Sequence, residues 1–169
     1  FAARGSEIAG VITEPVLSNT GGLLPDPGFH EALRDLTKRS GSLLIFDEVI
    51  TGFRMALGGA QQAFGILPDL ATFGKAVAAG VPLSVVAGRE DVMMEMYKGV
   101  AFGGTFNGNP MVLAAANAAL DVLSENDGAA IKHANAMGNL IKDGITALAK
   151  QKGIALQLRG FGAAFTLHF

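Results

Sequence analysis

Two carboxylates, a lysine and a glycine-rich turn are the residues of this sequence whose types and spacing suit chemistry. They are Asp47-Glu48 after the apolar run LLIF, Lys75 in TFGKAVAAG, and GGTFNGNP from Gly103 to Pro110. Lys75 stands in a mostly apolar stretch from Leu70 to Gly88. Apolar surroundings disfavour an ammonium ion and so favour a neutral, nucleophilic amine. The small neighbours Gly74, Ala76, Ala78, Ala79 and Gly80 leave room for a flat group against the backbone. A lone lysine in such a segment more often snorkels to the surface. An acid at a strand end more often caps a helix or accepts a core hydrogen bond, but it can also hold a pyridine nitrogen in its protonated form. Acid and lysine together favour the chemical reading over the bland one.

The elements that must position these groups are short strands and amphipathic helices. IAGVITEPV, from Ile8 to Val16, predicts a buried strand closed by Pro15, with Glu14 at its mouth. FHEALRDLTKRSG predicts a surface helix with Phe29, Leu33 and Leu36 on one face and Gly41 as its C-cap. SLLIFDEV, from Ser42 to Val49, reads as a parallel strand covered on both faces and ending in its carboxylates. DLATFGK and PLSVVAG read as two more strands joined by AVAAGV.

Two core helices follow. Asn109 to Asn126 places Val112, Ala116, Ala119 and Leu123 on one face. Ala129 to Lys152 does the same with Ile131, Ala134, Met137, Ile141, Ile145 and Leu148. The closing IALQLRGFGAAFTLHF alternates like half-buried strands, so a second subdomain is expected from about Asp127. Strands alternating with helices predict an open α/β sheet, and such sheets bind ligands outside the carboxyl ends of their strands.

Composition narrows the function classes. Of 169 residues, 50% are apolar and 17% charged, which supplies a core and excludes disorder. Lys plus Arg is 13 and Asp plus Glu is 15, without blocks of one sign. Neither nucleic acid nor an anionic membrane surface is therefore an expected partner. With no Cys, thiolate catalysis, disulfides and cysteine-containing zinc sites are out, and no metal site is expected. A reducing compartment is permitted and a cytoplasmic location expected. The start FAARGSEIAG and the stop at FTLHF read as positions inside a longer chain.

LLIFDEVITGFR followed by PDLATFGKAVAAGVP resembles the signature of class III pyridoxal-phosphate enzymes, the fold-type I family of ω-aminotransferases and glutamate-1-semialdehyde aminomutases. The resemblance implies that Asp47 binds the pyridine nitrogen of pyridoxal phosphate and that Val49 packs on its ring. It further implies that Lys75 is the catalytic residue and forms the internal aldimine. FGGTFNGNP resembles the family's phosphate-contacting turn, which implies that Thr105 reaches the cofactor phosphate of a neighbouring subunit in a homodimer with shared active sites. An anion there would also meet backbone N–H groups at the start of the next helix.

The implied fold is part of a mainly parallel-sheet large domain over residues 1–126, with the beginning of an α+β small domain over 127–169. The implied substrate is an amino acid or amino aldehyde. GFRMALGGAQQAFGILPDL and GGTFNGNP look most like the aminomutase branch, whereas TEPVLSNTGGLLPDPGFHEALR looks like transaminases.

Other residues carry plainer expectations. Glu48 is expected to hydrogen-bond backbone or a neighbouring side chain, and Arg54 to form a surface ion pair unless it meets a substrate carboxylate. His30, His133 and His168 lack the spacing of a metal site or a triad and are expected to be structural. A different function class is a P-loop ATPase, since LLIFDE has the form of a Walker B strand. The only Gly-Lys pair is followed by Ala76, however, so the hydroxyl that would ligate magnesium is missing. A third reading is a piece of a pyridoxal enzyme that is catalytically silent on its own.

Overall fold

The apolar run Leu43–Asp47 becomes β2, one of the two inner strands in a four-stranded sheet of order β1-β2-β3-β4. The computed structural model describes residues 1–169. β1 (Gly10–Thr13) and β3 (Leu70–Phe73) run parallel to β2, while β4 (Val85–Gly88) returns antiparallel along β3. The sheet is thus mainly parallel, as expected of an α/β fold. α1 (Phe29–Ser40) crosses over between β1 and β2, and the short α2 (Gly59–Phe64) lies between β2 and β3.

Strand pleating sorts β2 into two faces. Leu44, Phe46 and Glu48 are fully buried, and the first two pack with Leu33 of α1 and Ala71 of β3. Leu43, Ile45 and Asp47 alternate with them and are only half-buried. Ile12, the cross-strand partner of Ile45, is 64% exposed. The sequence predicted a strand covered on both faces; the elements of this chain cover one of them.

α1 begins and ends where the sequence placed it, with Gly41 in the left-handed conformation at its C-cap. Its buried stripe is His30, Leu33 and Thr37, not Phe29, Leu33 and Leu36. Phe29 is 49% exposed. His30 takes the inward place because its ring meets those of Phe46 and Phe64 while its Nε2 bonds the Pro15 carbonyl oxygen at 3.0 Å. This histidine is structural, as the sequence suggested.

The sheet's other end, where β3 begins, is pinned by Asp69. Its Oδ2 accepts from the Leu44 N–H at 2.7 Å and from Arg34 at 2.9 Å, and its Oδ1 accepts from Arg89 at 2.7 Å. One carboxylate thereby ties α1, β2 and the segment after β4 together. Burial pushes the Asp69 carboxyl up, but the bonds from Arg34, the Leu44 N–H and Arg89 outweigh it and hold it below the ordinary carboxylate value.

After β4 come α3 (Glu90–Met93), α4 (Pro110–Ser124) and α5 (Ala129–Lys152). Asn109 caps α4 by accepting from the Met111 and Val112 N–H groups, with Pro110 in the first turn. α4 packs Ala116 against Val77 and Ala78, as its predicted inner face requires. α5 departs from expectation. Ile131, Gly138 and Ala149 are buried, but Met137, Ile141 and Leu148 are 42%, 53% and 55% exposed. Its apolar stripe is wider than the strip that meets α4 and the hairpin of β5 (Gln157–Phe161) and β6 (Ala164–His168). No helix is long and apolar enough to cross a membrane.

Candidate functional site

The parallel order of β2 and β3 brings Asp47 and Lys75 to one end of the sheet. Asp47 is the last residue of β2 and pairs in register with Thr72, and Lys75 follows β3 by one residue beyond Gly74. Adjacent strands lie about 4.8 Å apart, so acid and lysine share one mouth. Asp47 Oδ1 accepts from the Val49 N–H at 3.0 Å and from the Thr72 hydroxyl at 3.3 Å. Those two bonds orient the carboxylate while leaving Oδ2 without a partner in the chain.

Lys75 opens a single helical turn, Lys75–Ala78, with φ of 49°, in the left-handed region that side chains rarely adopt. Strain of this kind concentrates at functional positions. The expected apolar cover around the lysine is absent. Its neighbours Val77 and Ala78 turn inward to pack with Ala116, Phe53 and Phe73, while Lys75 is exposed. Apolar neighbours in the chain are not apolar neighbours in space. The Lys75 side chain makes neither a hydrogen bond nor an ion pair and stands open to solvent.

Val49 stands beside this turn, because a Cβ on Gly74 would lie 3.4 Å from one Val49 methyl and 3.8 Å from the other. Thr105 lies in the turn before α4, exposed and without a side-chain hydrogen bond. Asp47, Val49 and Lys75 thus gather at the sheet mouth, and Thr105 stands outside that group on a separate exposed loop. Glu14 is near the same sheet end after β1. Its Oε2 accepts from the Ser18 N–H at 3.3 Å, and it lines a cleft of about 280 Å³ with Asp26 and His30.

Glu48 has a purely structural occupation. It is fully buried, and its oxygens accept from the Thr51 hydroxyl at 2.8 Å, the Ala60 N–H at 2.6 Å, and the Gln61 N–H and side-chain amide, both at 3.1 Å. It caps α2. With both oxygens engaged, it cannot activate a magnesium-bound water, which removes the Walker B reading. Arg54 forms no ion pair, contrary to expectation. Its Nη1 donates to the Ile50 carbonyl at 3.0 Å and to that of Val49 at 3.5 Å, because the loop folds back on itself.

Two residues escaped the sequence reading. Asp69 was visible only as part of PDLATF. Asn135 interrupts the inward face of α5 between Ile131 and Gly138, and a polar residue on that face was the signal. Its Nδ2 donates to the Arg54 and Met55 carbonyls at 2.9 and 3.2 Å, and its Oδ1 accepts from the Ala163 N–H at 3.1 Å.

Comparison with known proteins fits this geometry. Residues 1–169 match the family model described as Aminotransferase class-III. The chain is 42% identical to a glutamate-1-semialdehyde 2,1-aminomutase of Anaeromyxobacter dehalogenans, over 100% of this chain and 39% of the relative. Its fold is similar to that of an omega-transaminase from Sphaerobacter thermophilus, with a TM-score of 0.90 and 31% identity over 99% of this chain and 38% of the other. A transaminase with PLP bound matches with a TM-score of 0.90 and 27% identity, over 98% of this chain and 39% of its own. The chain spans about two fifths of the length of these relatives. Mainly parallel sheet, acid and lysine at its mouth, and a match along the whole sequence agree: the chain belongs to the class-III aminotransferase family.

Proposed function

We propose that this chain carries the acid and the lysine of a pyridoxal-phosphate-dependent enzyme that moves an amino group, as a glutamate-1-semialdehyde aminomutase or an ω-aminotransferase does. The observation that carries the reading is the pairing of an oriented carboxylate, one oxygen unpartnered, with an unpartnered lysine at the same mouth of adjacent parallel strands. That donor set fits the cofactor: an anionic oxygen for a pyridinium N–H and an amine for an aldehyde carbon.

Pyridoxal phosphate, when bound, supplies the electron sink that makes a proton on the substrate's amine-bearing carbon removable. In this reading Asp47 presents Oδ2 to the ring nitrogen, its rotation fixed by Val49 N–H and Thr72. Val49 supports one ring face. Lys75 Nζ is the amine that would hold the cofactor's aldehyde carbon, with loss of water, and that would, when free, take up and return the proton of the substrate's amine-bearing carbon. Thr105 offers its hydroxyl to the phosphate held by a neighbouring subunit, so a homodimer with shared sites is part of the proposal. The substrate is an amino acid or amino aldehyde. Residues 1–126 then form the second half of the cofactor-binding domain and 127–169 the start of a small domain, a division supported by the separate sheet of β5 and β6.

The test is borohydride reduction of the protein with pyridoxal phosphate, followed by peptide mass spectrometry. The adduct is expected on Lys75 and lost in Lys75→Ala; labelling elsewhere, or equal labelling of the variant, overturns the assignment. Turnover of glutamate-1-semialdehyde without a second substrate selects the mutase. Strict dependence on a keto acid selects the transaminase.

A further inference from the structure

We infer that Asn135 is a positioning residue that ties the β5–β6 hairpin to Asp47 through a relay of hydrogen bonds, an inference that rests on the cofactor role just proposed for Asp47. Its hydrogen bonds are joined through the Arg54 side chain and the Val49–Ile50 backbone. The Ala163 N–H, in the hairpin turn, donates to Asn135 Oδ1 at 3.1 Å, and Asn135 Nδ2 donates to the Arg54 and Met55 carbonyls at 2.9 and 3.2 Å. Arg54 Nη1 donates in turn to the Ile50 carbonyl at 3.0 Å and more weakly to that of Val49 at 3.5 Å. The Val49 N–H donates to Asp47 Oδ1 at 3.0 Å.

The amide can sit only one way round, because its nitrogen faces two carbonyls and its oxygen faces an N–H. Close approach is built in on both sides. A Cβ on Gly162 would fall on the Asn135 amide, and one on Gly138 would fall on the backbone of Gly162 and Ala163. Beside the relay, Phe53, Ile131, Phe161 and Ala164 line a cavity of about 290 Å³. Next to that cavity, directional hydrogen bonds fix the register of hairpin, helix and loop. The Val49 N–H shares Asp47 Oδ1 with the Thr72 hydroxyl, so a shift of the hairpin would loosen one of the two bonds that orient the carboxylate that would face the ring nitrogen.

The test uses Asn135→Asp, which keeps the acceptor for Ala163 and removes both donors, with Thr37→Ala as a control. Thr37 is fully buried in α1 and outside the relay, so its truncation destabilises without touching the loop. Two quantities are read: amide exchange at Val49 without cofactor, and the Kd for pyridoxal 5'-phosphate by absorbance titration. Asn135→Asp is expected to speed Val49 exchange and weaken the Kd, each about tenfold, while the Ala163 amide stays protected and the control changes neither. Unchanged Val49 exchange, or equal acceleration in Thr37→Ala, overturns the relay. Faster Val49 exchange with an unaltered Kd upholds the relay and overturns its link to the cofactor. Failure of the unaltered protein to bind pyridoxal phosphate overturns the reading of the site, leaving the exchange result to decide the relay on its own.

Discussion

The two ends of the four-stranded sheet use carboxylates in opposite ways. At the end where β3 begins, Asp69 is buried and spends both oxygens on Arg34, Arg89 and the Leu44 N–H. At the other end Asp47 is half-buried and keeps one oxygen free, and Lys75 has no partner at all. Buried charge left unpaired costs stability unless it is compensated. A closed network marks the end that holds the sheet together, whereas unspent polar capacity marks the end that can take a ligand.

The comparison can be broken by exchanging the two behaviours. Asp47→Asn retains an oxygen for Val49 and Thr72 and removes the charge. It should lower kcat/KM on the order of 10²–10³-fold, as loss of a preorganised electrostatic group does, with little change in melting temperature. A melting loss without a kinetic one would place Asp47 with the structural acids.

Asp69→Asn should do the reverse, costing about 3 kcal/mol, the scale of a broken buried ion pair. For a chain of this size that is a fall of about 10 °C in Tm, with activity per folded molecule kept. The sign with pH follows from the lowered Asp69 carboxyl. Because the folded value lies below the unfolded one, the stabilisation is fully present above about pH 4 and is lost as pH falls through the folded value. Denaturant curves between pH 2 and 6 should show that acid-dependent loss in the native sequence and a reduced one in Asp69→Asn.

The smallest effect sharpens the boundary within the mouth itself, where Glu48 adjoins Asp47 yet serves only structure. Gly59 has φ of +70°, and a Cβ there would fall on the Glu48 carboxylate. Gly65 has φ of +69° with nothing within 4 Å. Gly59→Ala should cost about 2 kcal/mol and Gly65→Ala about 1 kcal/mol, the difference being the clash added to backbone strain. Equal losses by chemical denaturation would show that Glu48 swings away freely.

Much of this was legible in the sequence, and the gaps have physical causes. Hydrophobic period located α1, α4 and α5, and Gly41 marked the end of α1 as well. The order of strand, acid, strand and lysine was enough to bring Asp47 and Lys75 together. Periodicity carries no strand direction, so β4 could not be read as antiparallel. The inward turn of His30 depends on Phe46 and Phe64 from other elements, which the helix's own pattern does not contain. The exposure of Lys75 could not be read either, because Val77 and Ala78 bury themselves and leave the lysine outside.

The antiparallel return of β4 also bears on how the molecule assembles. β1 and β2 pair only after the chain has closed a loop around α1, whereas β3 and β4 are joined directly through the Lys75 turn. Closing the shorter loop costs less chain entropy, and local pairings are the ones that form quickly. The lysine is therefore carried on the ladder that closes the shortest loop of the sheet, and the turn that holds it is also packed on Ala116 of the distant α4.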